Sequence, residues 1–283
     1  MNIEKIYFKT EDKVELFGLM HSPKKKTKKI IIAVHGMSSS CFKKRDDILA
    51  TEFTKKYISY FAFNNRGHDY ISKYKEDEKS KIGGSIYESI YDSYYDIKAA
   101  IDVCVKKGYR EIYMQGHSLG CLKIVYTLNK LKNEKSKLLE HINKIILLSP
   151  VDTVNLQKYY LKDEFNKVLE FAKNTKEELM PKQTFFKPIS TKTFLELLTN
   201  EDLNLFRYSD NNYNYKEINN IEKPVIFAWG TDNEMLLENP NDLEKILKEK
   251  IQKDIQVKAI KGANHSYKGH EKKLAKYILD NLN

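Results

Sequence analysis

The five residues Gly116-His117-Ser118-Leu119-Gly120 constrain this chain more than any other feature. They follow directly on an apolar, strand-like run at 111–115 and lead into a helix-compatible run at 121–131. With 11 glycines and 16 serines in 283 residues, chance yields a Gly-x-Ser-x-Gly pattern roughly 0.02 times, before the flanking strand and helix are also required. A nucleophile held in a strained backbone conformation needs a glycine on either side, because close packing leaves no room for side chains there. Such a turn lifts the Ser118 hydroxyl clear of a sheet. It also puts the Leu119 N–H at a helix N-terminus, aimed at a developing negative charge.

The rest of the chain alternates strand and helix signals. Runs at 6–10, 16–20, 29–34 and 60–64 are rich in β-branched and aromatic residues, as are 111–115, 144–149, 224–229 and 255–260. Most of the later runs are continuously apolar, the pattern of parallel strands buried on both faces. Ile90, Tyr94, Ile97, Ile101 and Cys104 recur at helical spacing. Further helices are expected after Ser40, after Ser118, at 242–250 and at 271–282. This alternation predicts a mainly parallel, doubly wound α/β sheet, with the first two strands as an antiparallel hairpin at one edge. The interval 151–223 is far longer than one crossover needs. It predicts an insertion, with residues 151–212 as a cap or lid after the sixth strand and residues 1–150 and 213–283 as the core. Leu161, Phe165, Val168, Leu169 and Ala172 mark one amphipathic helix of that insertion.

The formal net charge is +10, which raises the question of a polyanionic partner. Only Arg45, Arg66, Arg110 and Arg207 are arginines; the other 45 basic residues are lysines dispersed along the chain. Phosphate recognition favours the bidentate guanidinium, so the charge reads as solvated surface and no nucleic-acid partner is expected. Cys41, Cys104 and Cys121 are odd in number and widely spaced, which suggests neither a disulfide framework nor a zinc site and fits a cytoplasmic location. No run approaches the length of a membrane span, and no metal or cofactor is implied.

The elbow at Ser118 resembles that of the α/β-hydrolase family, and the resemblance extends over nearly the whole chain. His35-Gly36 after the strand 29–34 is similar to the family's His-Gly loop, whose next residue, here Met37, lends the second oxyanion-hole N–H beside that of Leu119. Asn65-Arg66-Gly67-His68 is similar to the family's Arg-Gly-x-Gly turn, with Asp69 where glycine is usual. Gly262-Ala263-Asn264-His265 lies where the family keeps its catalytic histidine, and His265 is the expected base. The acid should follow the strand 224–229. The family's usual position falls on Asn233, so Asp232, one residue early, is the expected acid, with Glu234 and Asp152 as alternatives. Gly83-Gly84-x-x-Tyr87-Glu88 is similar to a stretch in hydrolases related to fungal siderophore esterases.

A serine hydroxyl needs a base oriented by a carboxylate to become a useful nucleophile. The expected function is therefore hydrolysis of a small-molecule carboxylic ester or thioester through Ser118, His265 and Asp232. Family members that are dehalogenases or epoxide hydrolases use an aspartate at the elbow, which Ser118 argues against. Amide or peptide hydrolysis, acyl transfer and a non-catalytic ligand-binding role are the alternatives on the same fold. Tyr159, Tyr160, Phe165, Phe185, Phe186 and Phe194 suggest a partly apolar or aromatic acyl pocket.

Overall fold

A computed structural model describes every residue except Glu177, Pro181, Lys182, Gln183, Lys187, Asn233 and Asn283. Five strands whose residues are almost all buried form the centre of the sheet: β3 (Lys29–Val34), β4 (Ser59–Asn64), β7 (Glu111–His117), β8 (Ile142–Leu148) and β9 (Val225–Gly230). With β10 (Ile255–Ile260) they run parallel in the order β10-β9-β8-β7-β3-β4. Continuous apolar runs suit such strands because helices cover both faces.

The two-residue alternation of a strand divides the core. Ile30, Ile32, Phe61, Phe63, Ile112 and Met114 face one cluster, to which α2 (Ser93–Lys106) and α3 (Leu119–Asn133) contribute. Ile31, Ala33, Tyr60, Ala62 and Tyr113 face the other, built with α1 (Lys44–Lys55) and α9 (Glu271–Asp280). The alternation of elements thus yields the α/β-hydrolase arrangement anticipated from sequence.

β1 (Asn2–Lys9) and β2 (Val14–Ser22) are antiparallel, as expected, and β2 then pairs with β4. A hairpin of β5 (Ser72–Glu76) and β6 (Lys79–Gly83) extends the sheet beyond β2 and was not anticipated. Its strands are short, polar and mostly exposed, so no apolar alternation marks them. Asp77 and Glu78 turn it at φ 47° and 64°, the left-handed pair that a two-residue hairpin loop requires. The long intervening segment accordingly follows the eighth strand instead of the sixth. It contains α4 (Thr153–Leu161), α5 (Phe165–Asn174), α6 (Thr191–Thr199) and α7 (Lys216–Asn220), before α8 (Leu243–Lys250) closes the β9–β10 crossover. The amphipathic stretch read as one helix is broken by Lys162 at φ 49°, which divides it between α4 and α5. α6 is fastened to the chain ahead of α2: Ser190 N–H donates to Ile86 O at 2.9 Å and Thr193 Oγ1 donates to Glu88 O at 2.8 Å.

Behind the β3 and β4 loop ends, Lys123 of α3 forms an ion pair with Glu88, and both side chains are excluded from solvent. A Cβ on Gly67 would stand 2.2 Å from the Glu88 carboxyl, so the glycine of the Arg-Gly turn is required by this pair. Arg66 beside it donates from Nε to Asp96 at 2.9 Å and from Nη2 to Asp12 at 3.0 Å. Removing one partner of a buried pair strands the other. Lys123→Ala should therefore cost about 3–5 kcal/mol in urea unfolding, whereas Lys123→Met combined with Glu88→Leu should cost much less. Equal losses would show that packing, not charge, dominates there.

Candidate active site

Ser118 links β7 to α3 at φ 54° and ψ −125°, a conformation costly for any residue with a side chain. Its neighbours explain how the turn closes. A Cβ on Gly116 would meet the Cys121 backbone at 2.7 Å, and one on Gly120 would meet Val34 O at 2.3 Å. Gly36 is equally confined, since its Cβ would stand 2.9 Å from the Ser118 Cβ and 3.3 Å from Leu119 N. The His-Gly loop and the elbow therefore touch, which brings the backbone after Gly36 beside the start of α3. The N–H groups of Met37 and Leu119 meet no acceptor among the described residues.

His35 holds that loop. Its Nδ1 donates to Gly36 O at 2.9 Å and its Nε2 accepts from Asn65 N–H at 3.3 Å. Burial, with Lys123 nearby, keeps it neutral by pushing its pKa well below the usual histidine range. His117, immediately ahead of Ser118, has a comparable tethering role. Its Nε2 donates to His265 O at 2.8 Å, the two rings lie 4.9 Å apart, and burial holds His117 neutral as well. The elbow and the His265 loop are thus joined directly. Asp69 sits at φ 55°, which accounts for glycine being usual at that position.

The carboxylate that meets His265 is Glu234, not the expected Asp232. Glu234 Oε2 accepts from His265 Nδ1 at 2.8 Å. Its Oε1 accepts from Gly230 N–H at 2.6 Å and from Ser149 Oγ at 2.8 Å, and only 4% of the Glu234 side chain is exposed. Ser149 Oγ also lies 2.9 Å from the Tyr267 hydroxyl, which donates to Ala228 O at 2.7 Å. Asp232 is exposed; its N–H donates to Ala263 O at 2.9 Å and its carboxylate accepts from Thr231 Oγ1 at 2.7 Å. The physical reason is reach. The backbone at 232 is tied to the β10 loop with its side chain turned outward, and the extra methylene of glutamate lets Glu234 fold back under Gly230. Asn233 lies outside the described residues.

Asp152 is buried but does not meet His265. It caps α4, with Oδ1 accepting from Asn155 N–H at 3.0 Å and Oδ2 from Asn155 Nδ2 at 2.7 Å. Burial pushes its pKa up to about 6 from 3.8. The folded state therefore holds this proton more tightly than the unfolded chain, and the associated stability is present below about pH 4 and lost as pH rises through 6. Asp152→Asn keeps the capping acceptor and removes the buried charge. It should raise stability by about 2 kcal/mol at pH 8 and by little at pH 4 in urea unfolding; equal gains at both would contradict this origin.

Ser118 and His265 line one cavity of about 550 Å³ together with Met37 and Leu119. The segment between β8 and β9 supplies Val151, Thr153, Phe185, Phe186 and Leu197 to its wall. Of the six aromatics expected there only Phe185 and Phe186 reach it: Phe194 is buried in the core, Tyr159 and Tyr160 are exposed, and Phe165 packs against the core edge. The three cysteines are free and buried, and Cys121 Sγ donates to Leu148 O at 3.3 Å.

A strained serine at a strand-to-helix elbow, sharing a cavity with a carboxylate-bound histidine, defines the serine hydrolases of α/β type. The family model described as serine aminopeptidase, S33, matches residues 25–219, well over half of the chain, and the chain belongs to that α/β-hydrolase family. No curated protein sequence matches it. Among solved structures, Est1E of Butyrivibrio proteoclasticus with bound ferulic acid is 16% identical, with a TM-score of 0.65 over 98% of this chain and 99% of that one. A soluble variant of the monoglyceride lipase of Saccharomyces cerevisiae, in complex with a substrate analogue, is 15% identical with a TM-score of 0.65 over 100% and 96%. An esterase of Pyrococcus furiosus is 17% identical with a TM-score of 0.61 over 100% and 92%. These likenesses are of fold. No helix among the described residues is long and apolar enough to cross a membrane.

Proposed function

We propose that this chain hydrolyses carboxylic esters or thioesters of small molecules, with Ser118, His265 and Glu234 as its triad. The observation that carries the reading is the buried Glu234 carboxylate on His265 Nδ1, because it leaves Nε2 as the ring's acceptor in the cavity that Ser118 also lines. His265 takes the Ser118 proton as Oγ attacks the carbonyl, and Glu234 stabilises the imidazolium that results. The Met37 and Leu119 N–H groups receive the oxyanion, preorganised by the glycine contacts around Gly36. His265 then protonates the leaving group, and water releases the acyl group by the same route. Esters are favoured over amides because an alkoxide or thiolate leaves with less assistance, although the aminopeptidase description of the family favours amide hydrolysis as the second reading.

Residues 151–212 act in this reading as a cap over the core of residues 1–150 and 213–283. Phe185, Phe186 and Leu197 from that segment favour an apolar or aromatic acyl group. Free buried cysteines fit a reducing, cytoplasmic setting. The test is a series of p-nitrophenyl esters of graded acyl length, with amino-acid p-nitroanilides alongside. Turnover of the esters with a length optimum is expected; turnover of the anilides alone would favour the second reading, and turnover of neither would remove both.

A further inference from the structure

The walls of the cavity differ in chemistry. Besides the apolar residues of the β8–β9 segment, the starts of α1 and α9 and the residues just ahead of them contribute Lys43, Lys44, Arg45 and Lys268, with Glu271 as the one carboxylate among the described lining residues. Resting on the ester hydrolysis proposed above, we infer that this wall binds a carboxylate carried by the substrate, so that the preferred ester has an apolar part and an anionic part.

Three observations support the inference. Lys43 is the N-cap of α1, provides no side-chain acceptor to the helix, and is followed by two further cations in the first turn. Asp46 and Asp47 in the same turn suit the helix end, but Asp46 is taken up by Arg45 and Tyr60, so Lys43 and Lys44 ahead of them are left to favour an anion. Lys43, Lys44 and Lys268 are exposed and have no ion-pair partner among the described residues, unlike Lys98, which pairs with Glu11, or Lys132, which pairs with Glu222. The third observation is the most specific. Arg45 is only 8% exposed yet lines the cavity, and its contacts to Asp46 are long, 3.3 Å from Nε and from Nη2 to Oδ1. Its Nη1 has no hydrogen-bond partner among the described residues. A buried guanidinium with a free donor in a cavity wall is suited to a planar carboxylate. Glu271 in the same wall disfavours a doubly charged phosphate.

The test compares matched esters, each rate corrected for that ester's own alkaline hydrolysis. Mono-p-nitrophenyl succinate against p-nitrophenyl butyrate places the carboxylate on the acyl side; 4-(butanoyloxy)benzoate against phenyl butyrate places it on the alcohol side. One anionic ester should exceed its neutral twin in kcat/KM by about tenfold at low salt, and the ratio should approach one in about 0.5 M NaCl. Lys43→Glu combined with Lys268→Glu, both on the surface, should lower that ratio by about tenfold or more. Turnover of the neutral esters with no preference for either anionic one would overturn the anion site and leave the esterase reading intact. A preference unmoved by the charge reversal would overturn the assignment to these residues. Turnover of none of the four esters would instead bring down the esterase reading, and the anion site with it.

Discussion

Ser118→Ala should reduce the kcat for a p-nitrophenyl ester by about 10⁴-fold or more, the loss expected when a serine nucleophile is removed and only binding and oxyanion stabilisation remain. The fold should survive. The backbone at Ser118 is strained by its φ of 54°, and the glycine contacts that impose the strain involve Gly36, Gly116 and Gly120 rather than the hydroxyl. Alanine retains the Cβ that Gly36 accommodates, so the variant should unfold in urea within about 0.5 kcal/mol of the wild type. A variant that kept a tenth of the wild-type rate would place the nucleophile elsewhere.

The second large effect distinguishes two carboxylates two residues apart. Glu234→Gln should lower kcat by about 10³- to 10⁴-fold, because the amide favours the wrong tautomer of His265 and no longer offsets the charge of the imidazolium. Asp232→Asn should stay within about twofold, since its carboxylate meets Thr231 at the surface and does not reach the histidine. Glu234→Asp serves as a further check. A shorter carboxylate gives up the reach that connects His265 Nδ1 with Gly230 N–H and Ser149 Oγ, so an intermediate loss is expected. Loss of activity in Asp232→Asn with none in Glu234→Gln would reverse the assignment.

Where the sequence was informative, a local physical demand left its mark in residue types. Gly116 and Gly120 record contacts too close for a Cβ. The apolar runs of β3 and β9, and those at 112–114 of β7 and 145–148 of β8, record burial on both faces. The His265 loop could be read from its place after β10, because chain order and strand ends are properties of the topology. The carboxylate that meets His265 could not be read in the same way, since it depends on how a loop of a few residues turns and on the length of one side chain. Asp232 fitted the preference for aspartate, but its N–H is committed to Ala263 O and its side chain faces solvent. Ser149, which donates to Glu234, and Tyr267, which lies against Ser149, come from separate loops and carry no local pattern that connects them. The β5–β6 hairpin was missed for a different reason: its stability rests on backbone pairing and on two left-handed turn residues, so hydrophobic periodicity does not report it. His117 likewise gave no signal of its bond to His265 O, a contact made 148 residues away in sequence.

In the proposed reaction Ser118 carries the acyl group between the two half-reactions. The direct measurement is intact-protein mass spectrometry on samples quenched in acid during turnover of a slowly deacylating p-nitrophenyl ester, followed by peptide mapping. The predicted result is a mass gain of one acyl group, located on Ser118 in the wild type and absent from Ser118→Ala. An enzyme that turns the ester over with no adduct, or with the acyl group on another residue, would contradict it.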